Sequence, residues 1–260
     1  MSSNRLSLNS SKTQLISFGT PQQLQKLDYA LLSERFPRFT FSSSVRDLGV
    51  TLDSCLTFTE HIAKLTRSSY FQLRRLRAIR RSVSPSTFTS IVHAFVCSRI
   101  DYCNSLLVGL PKVRLSPLQS VLNAAARLIA RLPRFSHIST FMAEQLHWLP
   151  LSARIQFKVL ILILKSQFGL APKYLCAHIL RPLSATSLRP LRSSDRFDLS
   201  VPRVRTAMAQ FRSFACIGPS LWNRLPPSLR STILSGGIST SFSHLKTFLF
   251  SRGASHWERF

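Results

Sequence analysis

From Thr57 to Arg81 the chain runs 25 residues without a glycine or proline, and its apolar residues recur with the period of an α-helix. Phe58, Ile62, Leu65, Leu73, Leu76 and Ile79 gather on one face, while Arg67, Arg74, Arg77 and Arg81 fall roughly opposite. Thr57 with Glu60 has the spelling of a capping box, so a helix is expected over 58–81. Ser84-Pro85 supplies an N-cap with proline in the first turn of a second helix, expected to reach about Leu107 before Gly109 and Pro111 stop it. Ser116-Pro117 repeats the device ahead of a third, Leu118–Ala130. A short helix near Thr140–Leu146 and a longer one over Leu151–Gln167 follow; Val159–Leu164 is apolar on every side and should be the buried centre of the C-terminal half.

Before Thr57 the signals are those of short strands: Thr13–Phe18, Arg38–Phe41 and Val45–Leu52, with Gly19-Thr20-Pro21 and Ser42–Ser44 as breaks. Residues 184–210 are rich in Ser, Pro and Arg and read as an exposed linker or long loop. Beyond them Phe211–Arg230 and Ser241–Phe250 are amphipathic pieces split by Gly236-Gly237. The expected class is α+β, mostly α, in five parts: 1–56 with short strands, 57–135 helical, 136–183 helical, 184–210 linker and 211–260 amphipathic.

Charge narrows the partners. The 260 residues carry 35 Lys plus Arg against 10 Asp plus Glu, a formal net charge of +25, and 27 of the 35 cations are arginine. With 45% hydrophobic residues the chain has ordinary globular content, so the excess marks a polyanionic partner, nucleic acid first, rather than disorder. Arginine's planar fork suits phosphate better than lysine's ammonium. No apolar run approaches a membrane-spanning length, and the five cysteines are scattered without a CxxC pair, which fits a reducing compartment, nuclear or cytoplasmic, rather than secretion. Residues 1–27, acid-free and Ser-rich, loosely match an organellar transit peptide.

The excess is concentrated. Residues 61–143 hold 13 Lys plus Arg and one acid, Asp101. A charged helix face is commonly just solvated, or meets a partner protein or a membrane surface. Here the arginine face lacks the acids that lace an exposed helix with i,i+4 pairs, and the charge continues over three successive helices, which favours binding of phosphates.

Catalytic signatures are absent from the pattern. Two-metal chemistry needs clustered carboxylates, and the ten acids are dispersed, with Asp101-Tyr102 better read as a helix-packing dipeptide. The seven histidines show no HxxxH or HExxH spacing, no serine sits in GxSxG, and no glycine-rich phosphate loop exists.

Several strings are recognisable as a set. Asn4–Thr13 (NRLSLNSSKT) resembles the N-x-L-x-L-N-x-x-K-T segment of reverse transcriptases from non-LTR, LINE-type retrotransposons, the palm element that follows the catalytic aspartate pair. Val45–Ile62 (VRDLGVTLDSCLTFTEHI) is similar to the next palm block, a hairpin leading into the thumb. Ser98–Pro111 (SRIDYCNSLLVGLP), Leu118–Leu128 (LQSVLNAAARL) and Leu146–Pro150 (LHWLP) resemble thumb and post-thumb helices. Gly218–Arg230 (GPSLWNRLPPSLR) and Phe242–Phe250 (FSHLKTFLF) resemble the C-terminal region of the same group.

The resemblance implies a palm remnant, a helical thumb bundle and a helical C-terminal domain, and it explains the acid-free N-terminus as the end of a palm helix. It implies an RNA-directed DNA polymerase as parent, using Mg²⁺. The family's metal-binding aspartates precede the NRLSLNSSKT block, which here begins three residues after Met1. The expectation is therefore a truncated fragment that does not polymerise and needs no cofactor. Lys12 matches a lysine proposed as general acid and would be vestigial. Gly49, with Leu48 and Val50, matches the hairpin that lies against the primer, and Arg67, Arg74, Arg77 and Arg81 fall on the helix that grips the template–primer duplex. Expected partners are RNA or RNA–DNA duplex, through phosphates, and a missing upstream polymerase portion, with no membrane. The alternatives are a non-catalytic protein-interaction remnant and the unfolded product of a decayed element.

Overall fold

A computed structural model describes residues 9, 13–37, 39–176, 180–183, 197–206 and 211–251. They form a mostly helical chain with a small amount of strand, divided into two compact units, Met1–Arg67 and Ser68–Phe260. The division falls inside helix α3 (Thr59–Ile79), not at 56/57, and the expected border at 135/136 is bridged by helix packing described below.

In the first unit β1 (Gln14–Leu15) pairs in parallel with β2 (Thr40–Phe41). A parallel pair needs a crossover, and α1 (Pro21–Leu24) and α2 (Tyr29–Arg35) provide it. These two helices correct the expectation of strands and turns alone. Their start signals are in the sequence: Thr20 and Gln23 form a reciprocal capping box around Pro21, and the Asp28 carboxylate accepts from the Ala30 and Leu31 amides. Val45–Leu52, one strand by its pattern and a hairpin by the resemblance, forms a hairpin. β3 (Ser44–Asp47) and β4 (Val50–Asp53) pair antiparallel, with Asp47 opposite Val50. The turn residues Leu48 and Gly49 both have positive φ, 44° and 88°, the two-residue geometry that matches strand twist. Alternation alone runs through the turn because Leu48 is apolar, yet this side chain is 82% exposed.

Asp53 closes this unit. Its carboxylate accepts from the amides of Cys55, Thr57 and Phe58, and Phe58 takes φ +55°, so α3 begins at Thr59. Val50, Phe58 and Ile62 are its buried core. The Thr51 amide donates to Nδ1 of His61 at 3.3 Å, a bond that only a neutral ring with a free Nδ1 can accept. Burial first, and Lys64 second, lower the His61 pKa below its ordinary value. The unfolded chain therefore takes up the proton first as pH falls, so this contribution to stability is complete above about pH 6.5 and is lost as pH drops from there through the folded value. An NMR titration of the His61 ring should give a midpoint below about 6.5; a midpoint at or above that would contradict the geometry.

In the second unit, α4 (Pro85–Val92) has the expected cap, the Ser84 hydroxyl accepting from the Thr87 amide. It continues through a π-helical turn at His93–Cys97 into α5 (Ser98–Asp101). The helix ends there rather than near Leu107, because Cys103 takes φ +52° and Asn104–Leu107 tighten into a 3₁₀ turn. Gly109 follows at φ +74°, where a Cβ would strike the Phe211 carbonyl oxygen. The third helix also starts earlier than expected. α6 spans Lys112–Ala130 with Pro117 inside it. Proline cannot donate to the Val113 carbonyl one turn back; the Ser116 hydroxyl donates to it instead, at 2.9 Å. Ser116-Pro117 is thus a repair within the helix and not a cap.

α7 (Ser139–Glu144) and α8 (Leu151–Gln167) match their expected places. α8 is the hub: it packs against α6, the 3₁₀ turn, α9 (Phe214–Asn223) and α11 (Ile238–Ser251), while α10 (Pro227–Ser235) packs on α11. Val159, Leu160, Ile163 and Leu164 are fully buried, while Ile161 and Leu162 of the same apolar run are half-buried. Leu118, Val121, Leu122 and Ala125 of α6 are buried with them, as are Trp222, Leu245 and Leu249. Part of the expected exposed loop is docked. Asn223 pairs with both backbone groups of Leu199 at 2.8 Å, Trp222 Nε1 donates to the Phe197 carbonyl, and Arg230 forms an ion pair with Asp198. Residues 184–196 and 207–210 of that segment lie outside the described residues. Among those described, no helix is long and apolar enough to cross a membrane.

Candidate nucleic-acid interface

Arg67, Arg74, Arg77 and Arg81, the expected arginine face of α3, are all exposed, while Leu73 and Leu76 on the other side are buried. Ile79, expected on the apolar face, is 42% exposed as the helix ends. Arg67 belongs to the first unit, as does Gly49, which sits at the tip of the β3–β4 hairpin. Lys12 lies outside the described residues.

Within the second unit, Arg74 and Arg77 do not stand on an open ridge. They line a cleft of about 610 Å³ between α3 and α6, together with Arg80, Arg127 and Arg134. No carboxylate lines it. The floor is apolar, from Leu73, Ala124 and Leu128, and the aromatic residues Tyr70 and Phe135 contribute to its walls. Arg127 is tethered by its Nε, which donates to the Ser136 carbonyl at 2.9 Å. Partial burial, and then the neighbouring Arg131, Arg77 and Arg81, push the Arg80 pKa down. An arginine keeps its proton regardless, so Arg80 stays a cation with other cations near it.

The α6 wall is invisible to a helix-by-helix reading. Ser120, Asn123, Ala124 and Arg127 follow a 3, 1, 3 spacing on the side away from Leu118, Val121, Leu122 and Ala125, so the signal exists once α6 is placed opposite α3. Arg80, Arg127 and Arg134 belong to the basic segment 61–143, but nothing local distinguishes them from its other cations.

Five of the acids are engaged elsewhere. Asp28 and Asp53 hold backbone amides, Glu60 pairs with Lys64 at 2.7 Å, Asp101 with Arg154 at 2.7 Å, and Asp198 with Arg230. Among the described residues no three His, Cys, Asp or Glu side chains converge as metal ligands would. His93, in the π-helical turn, stacks edge-on against Trp148 at 5.4 Å, and its pKa is lowered by burial and Arg154. Cys97 behind it is fully buried, and burial pushes its thiol up to about 12, which makes it an inert core residue.

No family model matches the chain, and no curated protein or solved structure matches it either.

Proposed function

We propose that this chain binds the phosphate backbone of RNA or an RNA–DNA duplex without reading its sequence, as the thumb side of a non-LTR-type reverse transcriptase would. The observation that carries this reading is the acid-free cleft, in which five arginines from α3, α6 and the loops that follow them converge. Like charges brought this close raise the energy of the free protein, and a polyanion relieves it. On this reading the first unit corresponds to the end of a palm, α3 to the leading thumb helix, and α8 to α11 to the post-thumb region, in a nuclear or cytoplasmic protein. On the same reading the chain's part is grip rather than bond-making; Asp53, Asp101 and Asp198 hold backbone amides or arginines.

Affinity for a labelled RNA–DNA duplex should fall linearly on a log–log salt plot, by roughly 0.7–0.9 per phosphate contacted. A flat plot would refute phosphate-driven binding. A primer-extension assay with Mg²⁺ gives the complementary test, with no product expected.

A second reading has its own observation. The first unit contains two separate two-stranded sheets and exposes Phe18, Leu31, Phe36 and Leu48. Such open edges take on another polypeptide, which would suit a missing polymerase portion. Sedimentation of the full chain over a concentration series separates the two readings: self-association or aggregation favours the second, a monomer the first.

A further inference from the structure

The polar groups that line the α3–α6 cleft are mostly donors. Besides its arginines it contains Asn123, whose Oδ1 accepts from Gln119 Nε2 at 2.8 Å, while Gln119 Oε1 accepts from the Leu151 amide at 2.7 Å. This relay fixes the orientation of the Asn123 amide, whose oxygen already accepts one bond and whose N–H₂ can donate to a ligand. The ligand such a surface completes is an acceptor with several oxygens. The second element is aromatic. Phe135 is 88% exposed and the Arg134 guanidinium lies 5.5 Å from its ring centroid. A flat apolar ring held beside a cation is the platform on which unpaired bases stack.

Size discriminates between strands. A cleft of about 610 Å³ is in the range of small-ligand pockets and admits a nucleotide or two. A duplex, its bases already paired and stacked, can lay only the backbone of one strand along the cleft. We propose that the cleft holds an unpaired nucleic-acid strand, its phosphates on Arg74, Arg77, Arg80 and Arg127 and one base stacked on Phe135. This deepens the phosphate-binding function and rests on it.

The test is fluorescence anisotropy with decauridylate and with an RNA–DNA duplex of similar length, each over a salt series. Phe135→Ala should weaken decauridylate binding by about 5- to 100-fold, the worth of one stacked base. It should leave the salt slope and the duplex affinity as they were, because no phosphate contact is removed. Phe135→Trp should restore the loss. Since the ring is exposed, neither change threatens the fold. If Phe135→Ala binds decauridylate like the parent, or loses duplex and single strand equally, the single-strand site is overturned while phosphate binding stands. If neither nucleic acid binds in a salt-dependent way, phosphate binding fails with it.

Discussion

Replacing Asp101 by alanine should destabilise the protein by about 2–4 kcal/mol. Arg154 is the reason. Its side chain is only 10% exposed, its Nε donates to the Leu149 carbonyl at 2.8 Å, and its guanidinium lies 5.5 Å from the Trp148 ring centroid. Its charge is answered by Asp101 Oδ2 at 2.7 Å. Removing the carboxylate leaves a guanidinium in a largely dry site, where breaking a fully buried pair costs about 3–5 kcal/mol. The Asp101 side chain is 33% exposed, so water screens part of the field and the loss falls below that of a fully buried pair. Urea unfolding followed by circular dichroism should show the midpoint falling with an unchanged slope. Asp101→Asn keeps an acceptor and should fall between the alanine variant and the parent. The double variant Asp101→Leu with Arg154→Met should recover much of the loss, since a packed apolar pair avoids the desolvation of both ions. A loss below about 1 kcal/mol for Asp101→Ala would mean the pair behaves as a surface ion pair.

That pair also shows which features are legible in the sequence. The helices of the second unit are readable because their signals are local: caps such as Ser84-Pro85 and the all-round apolar run Val159–Leu164. Three of the strings that carry the family resemblance are tertiary fastenings. Asp101 in SRIDYCNSLLVGLP meets Arg154 next to the Trp148 of LHWLP, and Trp222, Asn223 and Arg230 in GPSLWNRLPPSLR hold Phe197–Leu199. No periodicity argument reaches such contacts, because partners 24 to 53 residues apart obey no local rule. The same limit explains the hairpin at Leu48-Gly49, which alternation runs through, and the start of α6, where Ser116 looks like a cap until the carbonyl of Val113 is located. For the candidate site, the arginine face of α3 is legible and its counterpart on α6 is not. Helical period gives the face of one helix but says nothing about which other helix stands across from it.

The cleft, and not the net charge, is what a charge-reversal series should expose. Arg74, Arg77 and Arg134 are exposed and line it, so changing all three to Glu leaves the core untouched. Arg74 and Arg77 are two of the proposed phosphate contacts, and losing them should lower the log–log salt slope by roughly 1.5–2 units, while the new carboxylates add repulsion. Together these should weaken nucleic-acid binding by about 10²- to 10³-fold near 0.1 M salt. The control has the same change in net charge at a different address: Lys165, Arg203 and Arg205, also exposed and outside the cleft lining, changed to Glu. A charge acting only through the general field of a protein at +25 would make the two triples equivalent, because long-range attraction depends on total charge and is screened within about 10 Å at 0.1 M salt. A site in which guanidinium groups touch phosphate makes them different. Equal losses in both triples would remove the cleft from consideration. A cleft triple that binds like the parent would do the same. A large loss confined to Arg74, Arg77 and Arg134 assigns the grip to α3 and the loop after α6.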